Sequence, residues 1–268
     1  MATVLIGSSG YDYLEWRELF YPRDLPREEF LAFYALSFPT VELNFSYYRM
    51  PAAGGMAAML RRAGETLDFS VKAHRSLTHD IDPACWKERA AEYRRALKPL
   101  AQAGRLGAVL FQFPSSFHYE PDRRKYLDAL LRELADLPAV VEFRNPAWQN
   151  TRVYDALRIR GTGICVTDMP DLRGLPQSAD VATSDRGYIR FHGRNGRAWW
   201  GSDAAERYNY LYTPEELEGW ERRIRCLRAQ VRSLRIYFNN HRAAQAARNA
   251  KMLQKLVEER EDGAGPGG

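Results

Sequence analysis

The segment Val140-Val141-Glu142-Phe143-Arg144-Asn145-Pro146-Ala147-Trp148 carries the pattern that decides the fold. It begins as a short apolar run, which is typical of a strand buried on both faces of a parallel sheet. Glu142 and Arg144 occupy alternate positions, so their side chains point to the same side of that strand. Pro146 ends the strand, because proline cannot donate to a neighbouring strand. A buried strand that ends in paired charges requires a polar, partly enclosed space for them to face.

The same arrangement recurs along the rest of the chain. Short apolar runs predict further strands at residues 4–6, 40–44, 68–74, 108–113, 163–168, 188–193 and 233–240. Helical patterns separate most of them, and Thr213 with Glu216 forms a capping box before one of these helices. Alternating strands and helices in a chain of 268 residues predict an α/β fold, a single (β/α)8 barrel of TIM type.

The domain organisation follows from the even composition of the chain. We predict a single domain over residues 1–262 and a disordered glycine-rich tail at residues 263–268. Residues 169–187 show no clear helix, so the sixth repeat is expected to be irregular. Residues 193–212 form a long loop, rich in Arg, Trp, Tyr and Gly, after the seventh strand. Loops of this length in compact domains are often lids or binding segments.

Composition narrows the class of protein. No stretch approaches the roughly 18 consecutive apolar residues of a membrane span, and the N-terminus lacks a secretory pattern, so we expect a cytoplasmic protein without a membrane partner. Three scattered cysteines fit neither a disulfide framework nor a zinc knuckle. The net charge of +5 suits an anionic partner, but arginines alternate with glutamates on the predicted helices, which indicates solvated helix faces.

Short motifs in chain order resemble the YecE-like family, a domain of unknown function numbered 72. They are Gly7-Ser8-Ser9-Gly10-Tyr11, Glu42-Leu43-Asn44 with Tyr48-Arg49, Val71-Lys72-Ala73 with Thr78-His79, Phe111-Gln112-Phe113-Pro114, Glu142-Phe143-Arg144, Arg190-Phe191-His192-Gly193 and Tyr237-Phe238-Asn239-Asn240. The resemblance covers nearly the whole chain and implies a TIM-type barrel with a polar mouth, but it supplies no reaction. The chain departs from the family pattern at several positions, including Ala244, which falls near a usual glycine.

The candidate site lies at the C-terminal ends of the predicted strands, where barrels of this class place their active sites. The polar residues expected there are Ser8, Glu42, Asn44, Lys72, His74, Gln112, Glu142, Arg144, Asp168, Arg190, His192, Asn239 and Asn240. Tyr11, Arg49 and His79, which stand in the family motifs, are further substrate-binding candidates. The alternative to a functional site is a salt-bridged polar plug that closes the barrel.

The residue types predict acid–base chemistry on a charged substrate. Glu42, Lys72 and Glu142 are the candidate catalytic residues, because neighbouring acids and bases can shift each other's pKa values toward neutrality. Lys72 has two other possible roles, a Schiff base with a carbonyl substrate or a counter-ion for the two glutamates. Arg144 and Arg190 suit a phosphate or carboxylate, which guanidinium groups bind with two hydrogen bonds.

Two other classes of site remain open from the sequence. Glu42, Glu142, Asp168, His74 and His192 are metal-ligand types, but cationic neighbours oppose a divalent ion, so we predict neither a metal nor an organic cofactor. The long loop interleaves aromatic residues with arginines, a pattern that can bind nucleic acid or pack as a lid over the barrel. The residues in question are Trp199, Trp200, Tyr208, Tyr210, Tyr212, Arg194, Arg197 and Arg207.

The sequence therefore predicts a metal-independent acid–base enzyme that acts on a small anionic or polyhydroxylated substrate at the barrel mouth. The alternative is a nucleic-acid-binding or metal-dependent endonuclease-like barrel.

Overall fold

The alternating apolar strands close into a barrel, as the sequence predicts. The computed structural model describes residues 2–177 and 179–262, and its strands are all parallel and ordered β1 to β8 around the barrel. The strands are β1 Thr3–Ser9, β2 Thr40–Leu43, β3 Asp68–Lys72, β4 Leu106–Phe113, β5 Ala139–Phe143, β6 Gly163–Asp168, β7 Arg186–Phe191 and β8 Ser233–Phe238. β1 pairs with both β2 and β8, which closes the sheet.

The helices surround the barrel and connect its strands. They are α1 Phe30–Ala35, α2 Phe45–Tyr48, α3 Ala53–Arg62, α4 Trp86–Gln102, α5 Pro121–Glu133, α6 Thr151–Ile159, α7 Ala204–Arg207, α8 Pro214–Arg228 and α9 Gln245–Asp262. Capping side chains set the residues at which α6 and α8 begin. The side chain of Asn150 accepts from Val153 N before α6, and the predicted capping box of Thr213 and Glu216 precedes α8.

Several strands end earlier than the sequence indicates. β3 ends at Lys72, two residues before His74, and β8 ends at Phe238, two residues before Asn240. His74 instead caps a short 3-10 helix, where its ring accepts from Ser76 N. Polar side chains that bond to nearby backbone favour turns over strands, which accounts for the earlier end of β3.

The barrel interior is filled rather than open. Inward-facing side chains of several strands form one cluster, made of Ala108, Leu110, Val140, Cys165, Tyr188 and Tyr237. The Tyr237 hydroxyl meets Thr40 Oγ1 at 2.6 Å and Ser70 Oγ at 2.8 Å, so the phenol is buried without losing its hydrogen bonds. This layer closes the lumen below the mouth, and the polar residues stand above it.

The predicted irregular connections are found in the described part of the chain. No helix or strand is assigned between β6 and β7 in residues 169–177 and 179–185. The loop of residues 193–212 contains only the short helix α7. Within the described residues, no helix is long and apolar enough to cross a membrane. The predicted tail, residues 263–268, lies outside the described residues.

Candidate functional site

Arg190 is the centre of the polar layer at the mouth. Its Nη2 donates to Glu42 Oε1 at 2.8 Å and its Nη1 donates to Glu142 Oε2 at 2.7 Å. All three side chains are essentially inaccessible to solvent. Glu42 also accepts from Tyr188 Oη at 2.7 Å and from Ser9 Oγ. A single guanidinium therefore bridges carboxylates from two different strands, so each of these buried charges has a partner of opposite sign.

Glu142 has a second arginine on its outer side. Arg144 Nε donates to Glu142 Oε1 at 2.5 Å, as expected for two residues that alternate along one edge. Burial alone would raise the pKa of Glu142, but Arg144 and Arg190 together hold it well below its usual range. The carboxylate is therefore ionised at neutral pH and is bonded to two cations.

His192 and Asn239 extend this network toward solvent. Asn239 Nδ2 lies 3.1 Å from His192 Nδ1, and His192 Nε2 lies 3.3 Å from Glu142 Oε1. Burial, followed by the charge of Arg144, lowers the pKa of His192 to about 3, so the imidazole is neutral. Backbone bonds past the strand ends fix both residues, because His192 N donates to Asp168 O and Asn239 N donates to Phe191 O.

Lys72 stands apart from the ion-paired network. Its ammonium lies 4.3 Å from the centre of the Tyr47 ring, a cation–π contact. It forms no ion pair with any residue in the described ranges, because Arg190 and Arg144 are the partners of the two glutamates. Burial, followed by the charge of Arg190, lowers the pKa of Lys72 to about 7. The amine is therefore present in both protonation states near neutral pH.

A cavity of about 390 Å³ opens above these residues. It is lined by Tyr13, Asn44, Tyr47, Tyr48, Lys72, Gln112, Arg144, Arg190, Arg207, Tyr208, Asn239 and His241. We call this space the mouth cavity. Its lining in the described residues contains a lysine, three arginines and several amides and phenols, but no carboxylate. Asn44 Oδ1, Arg190 Nε and Arg207 Nε are buried polar atoms of this lining that have no hydrogen-bond partner in the part of the chain that the structure describes.

The loop of residues 193–212 contributes Arg207 and Tyr208 to the mouth cavity, and Asp168 anchors this loop. The Asp168 carboxylate accepts from Arg194 Nη2 at 2.6 Å and from Arg194 Nε at 2.9 Å. It also accepts from Tyr212 Oη at 2.8 Å and from Trp220 Nε1 at 2.5 Å. Asp168 was predicted to bind the substrate, but its carboxylate accepts these hydrogen bonds and does not line the mouth cavity.

The turn at Gly193 sets the direction of the loop. Gly193 has φ +83°, and a Cβ there would lie 2.8 Å from Tyr210 Cβ, so only glycine fits without strain. Gly193 N donates to Tyr212 Oη at 2.9 Å, which ties the start of the loop to its end. Trp199 and Tyr212 are buried, and only Trp200 among the loop's tryptophans is exposed. Tyr212 packs against Phe191 and Phe238 of the barrel, and Trp199 packs against Tyr208 of the same loop.

The predicted site residues divide according to where the structure places them. Asn44, Lys72, Gln112, Arg144, Arg190 and Asn239 line the mouth cavity. Glu42, Glu142 and His192 are buried and bonded to those arginines and amides.

The remaining predicted residues lie away from the mouth cavity. Ser8 Oγ bonds to Gly10 O and Tyr34 Oη, and Asn240 Nδ2 bonds to Tyr210 O and Asn249 Oδ1. Tyr11 and Arg49 line a neighbouring cavity of about 600 Å³, which shares Tyr13, Asn44 and Tyr48 with the mouth cavity. His79 packs on the far edge of Tyr47, with ring centres 4.9 Å apart.

Several residues that line the mouth cavity were not predicted from the sequence to bind a substrate. Tyr13, Tyr47 and Tyr48 follow strands β1 and β2. Tyr48 stands in one of the family motifs, but none of the three was predicted to line the site. Arg207 and Tyr208 were recognised as loop residues, but nothing in the sequence shows that they reach the barrel mouth. Within the described residues, no cluster of His, Cys, Asp or Glu has a geometry that could hold a metal ion.

A larger cavity of about 920 Å³ lies at the opposite end of the barrel. It contains Asp68 and Arg235, which form a bidentate ion pair with N–O distances of 2.8 Å. Active sites of TIM-type barrels lie at the C-terminal ends of the strands, whereas this end serves stability. The mouth cavity is therefore the candidate site.

A closed parallel barrel with a buried, ion-paired mouth defines the chain as an α/β protein of TIM-barrel type. Within that class, residues 5–267 match the family described as "Protein of unknown function DUF72", and the chain belongs to this family. This confirms the resemblance found in the sequence motifs.

Similar proteins match almost the whole chain. UPF0759 protein YunF of Bacillus subtilis (strain 168) is 28% identical over 261 residues, which span 92% of this chain and 93% of that protein. The crystal structure of a DUF72 family protein from Thermotoga maritima MSB8 is 36% identical, with a TM-score of 0.86 over 96% of this chain and 99% of that one. A DUF72 family protein from Enterococcus faecalis V583 shares the fold at 23% identity, with a TM-score of 0.85 over 96% of each chain.

Proposed function

We propose that this protein is an enzyme that binds a small anionic substrate in the mouth cavity and uses Lys72 to transfer a proton. The observation that carries the proposal is the composition of the cavity lining, which has a lysine and three arginines but no acidic side chain in the described residues. A partly enclosed cavity with this charge attracts phosphate or carboxylate groups, and its low dielectric strengthens the attraction.

Arg144 and Arg207 are the proposed anion-binding residues. Arg144 is 13% exposed, whereas Arg190 is 1% exposed and already bonded to two glutamates. Arg207 comes from the lid loop, where its Nη2 donates to Ser202 O at 3.2 Å and its Nε has no partner. An anion between a barrel arginine and a loop arginine would hold the lid closed, which is a common way to exclude water from a reaction.

Asn44, Gln112 and Asn239 would bind the uncharged part of the substrate. Amide side chains offer both a donor and an acceptor, which suits hydroxyl groups. Asn44 Oδ1 is buried without a donor, so a substrate hydroxyl would satisfy it. The proposal therefore favours a hydroxylated phosphate or carboxylate over a neutral polyol, because a polyol would leave the cationic side chains unpaired.

The three candidate catalytic residues have different proposed roles. Lys72, with a pKa near 7, is suited to accept and return a proton at neutral pH. Glu142 has a depressed pKa and is enclosed by Arg144 and Arg190, so it is a poor general acid. We therefore assign Glu42 and Glu142 to positioning the arginines rather than to proton transfer.

Calorimetric titration with inorganic phosphate tests the binding half of the proposal. We expect wild-type protein to bind phosphate and Arg207→Gln to bind it on the order of 10-fold more weakly, since a charged hydrogen bond is worth about 1.5–3 kcal/mol before solvent screening. Arg197→Gln is the matched control, because Arg197 is an exposed arginine of the same loop that does not line the cavity. Equal weakening in both variants, or no binding by wild type, would contradict the proposal.

The same titration separates this proposal from nucleic-acid binding. A small anion bound in the cavity should compete fully with inorganic phosphate. A nucleic acid spread over the surface should instead bind more tightly than phosphate and lose affinity steeply with salt. The burial of Trp199 and Tyr212 supports the first outcome, because buried rings cannot stack on bases.

A further inference from the structure

Lys72 has a position in the mouth cavity that proton transfer alone does not explain. We propose that the Lys72 ε-amine forms a Schiff base with the carbonyl carbon of a small ketone or aldehyde that carries a phosphate or carboxylate group. The inference rests on the proposed anion site and specifies its substrate class.

Lys72 is not the counter-ion of the buried glutamates. A lysine beside two buried glutamates would ordinarily pair with them, and this was one reading of the sequence. In the structure, Arg190 donates to both Glu42 and Glu142, at 2.8 Å and 2.7 Å. Arg144 also pairs with Glu142, so two arginines balance the two glutamates. Lys72 has no ion pair in the described residues, and the charge balance of the buried layer does not require it to be protonated.

The surroundings of the Lys72 amine favour its neutral form. Lys72 is the last residue of β3, and its Nζ lies over the face of Tyr47 at 4.3 Å from the ring centre. The other cations that line the same cavity are arginines, which cannot lose their protons. Burial next to fixed positive charges favours the neutral amine, which is the nucleophilic form. The lowered pKa of Lys72 agrees with this geometry.

The mouth cavity contains both an amine and anion-binding arginines. Arg144 and Arg207 supply an anion-binding edge, and Lys72 lines the same space of about 390 Å³. A carbonyl compound with an anionic group can therefore be held by its charge while its carbonyl faces the amine. Holding the two reacting groups together in this way removes most of the entropic cost of a bimolecular addition.

The chemical step needs only the carbonyl compound and one proton from water. The Lys72 nitrogen forms a bond to the carbonyl carbon, the carbon–oxygen double bond becomes single, and a proton passes from nitrogen to the oxygen, which gives a carbinolamine. The hydroxyl then takes up one proton from solvent, the carbon–oxygen bond breaks as water leaves, and the nitrogen lone pair forms a protonated carbon–nitrogen double bond. That cation withdraws electrons from the neighbouring carbon, and hydrolysis by the reverse path releases the product and regenerates the amine.

Reductive trapping tests the inference. Wild-type protein is incubated with dihydroxyacetone phosphate or glyoxylate and sodium cyanoborohydride, and the modified lysine is identified by mass spectrometry of peptides. We expect Lys72 to be labelled on the order of 100-fold faster than each of the chain's five other lysines, because burial beside fixed positive charges favours its neutral, nucleophilic amine. Uncharged dihydroxyacetone should label Lys72 about 10-fold more slowly, since it lacks the group that the arginines bind.

The controls separate this inference from the anion site on which it rests. Lys72→Arg keeps the positive charge, so it should retain phosphate binding and lose the trapped adduct. Normal phosphate binding by wild type without labelling of Lys72 by either anionic probe would overturn the Schiff base and leave the anion site standing. Failure of wild type to bind phosphate would overturn the proposed function itself. Labelling of Lys72 at the rate of the exposed lysines would also overturn the inference.

Discussion

Arg190 on β7 reaches across the barrel to Glu42 on β2, with 2.8 Å between Nη2 and Oε1. β7 and β2 are not neighbours in the closed sheet, so this pair joins separate walls of the barrel. Both side chains are almost completely buried. Because Arg190 and Arg144 are the counter-ions of the buried acids, the lysine of β3 has no ion pair within the described residues.

Removing the central arginine should destabilise the fold strongly. Arg190→Met leaves Glu42 buried without a cation, and breaking a buried pair in this way costs about 3–5 kcal/mol in the free energy of unfolding. Urea denaturation measures the loss. Arg89→Met is the control, because Arg89 pairs with Glu92 on the surface at 3.0 Å and should cost less than about 1 kcal/mol. Adding Glu42→Gln to Arg190→Met should restore part of the stability, and a further loss would contradict the account.

Replacing Asp168 should make the loop of residues 193–212 more mobile. Asp168→Asn keeps the shape of the side chain but removes the charge that Arg194, Tyr212 and Trp220 contact. We expect faster amide hydrogen exchange in residues 194–210 and weaker phosphate binding, because Arg207 lies in that segment. Asp155→Asn, which removes only an exposed pair with Arg158, should change neither quantity. Unchanged exchange in the loop of Asp168→Asn would show that another contact holds it.

Acid should destabilise the protein through His192. The unfolded chain binds a proton at this residue below about pH 6.5, whereas burial lowers the pKa of the folded imidazole to about 3. Stability should therefore fall by up to about 1.4 kcal/mol per pH unit as the pH drops below 6.5. Urea denaturation between pH 6.5 and 4.5 should give a shallower slope for His192→Gln than for wild type. Between pH 7 and 9 the two slopes should agree, and parallel slopes in acid would refute the assignment.

The left-handed backbone before α9 offers a stabilising substitution. Ala243 and Ala244 have φ values of 48° and 55°, which cost a residue with a Cβ roughly 1–2 kcal/mol. Ala243 is exposed, so Ala243→Gly should raise the free energy of unfolding by about 0.5–1 kcal/mol after the larger entropy of the unfolded glycine is subtracted. Ala244 is fully buried, so Ala244→Gly should gain less, because it also removes a packed methyl group. Thermal unfolding of both variants decides this, and a lower melting temperature for Ala243→Gly would contradict the prediction.

The sequence was sufficient to predict the barrel, because each strand combines a short apolar run with a polar end. It also identified most of the mouth, since period-two alternation brings Glu142 and Arg144 to one side of β5. It could not show which cation pairs with which acid. That choice depends on the stagger of the strands and on the length of each side chain, which lets Arg190 reach Glu42 and Glu142 while Lys72 meets Tyr47.

The loop of residues 193–212 was the least predictable part of the site. The position of Asp168 at the end of β6 led to the prediction that this residue binds the substrate. In the structure, Arg194 and Tyr212 donate hydrogen bonds to the Asp168 carboxylate. Arg207 and Tyr208 reach the cavity because the turn at Gly193 and the bonds to Asp168 direct the loop there. Contacts between residues far apart in a loop leave no periodic signal in the sequence.

The measurement that tests the central claim most directly is a crystal structure of the protein with selenate, an analogue of phosphate and sulfate with a strong anomalous signal. We predict an anomalous peak in the mouth cavity, within hydrogen-bond distance of Arg144 and Arg207 and beside Lys72. The same peak should vanish in Arg207→Gln and persist in Arg197→Gln. Selenate bound only at surface arginines, with none in the cavity at a saturating concentration, would contradict the claim that this barrel mouth is an anion-binding site.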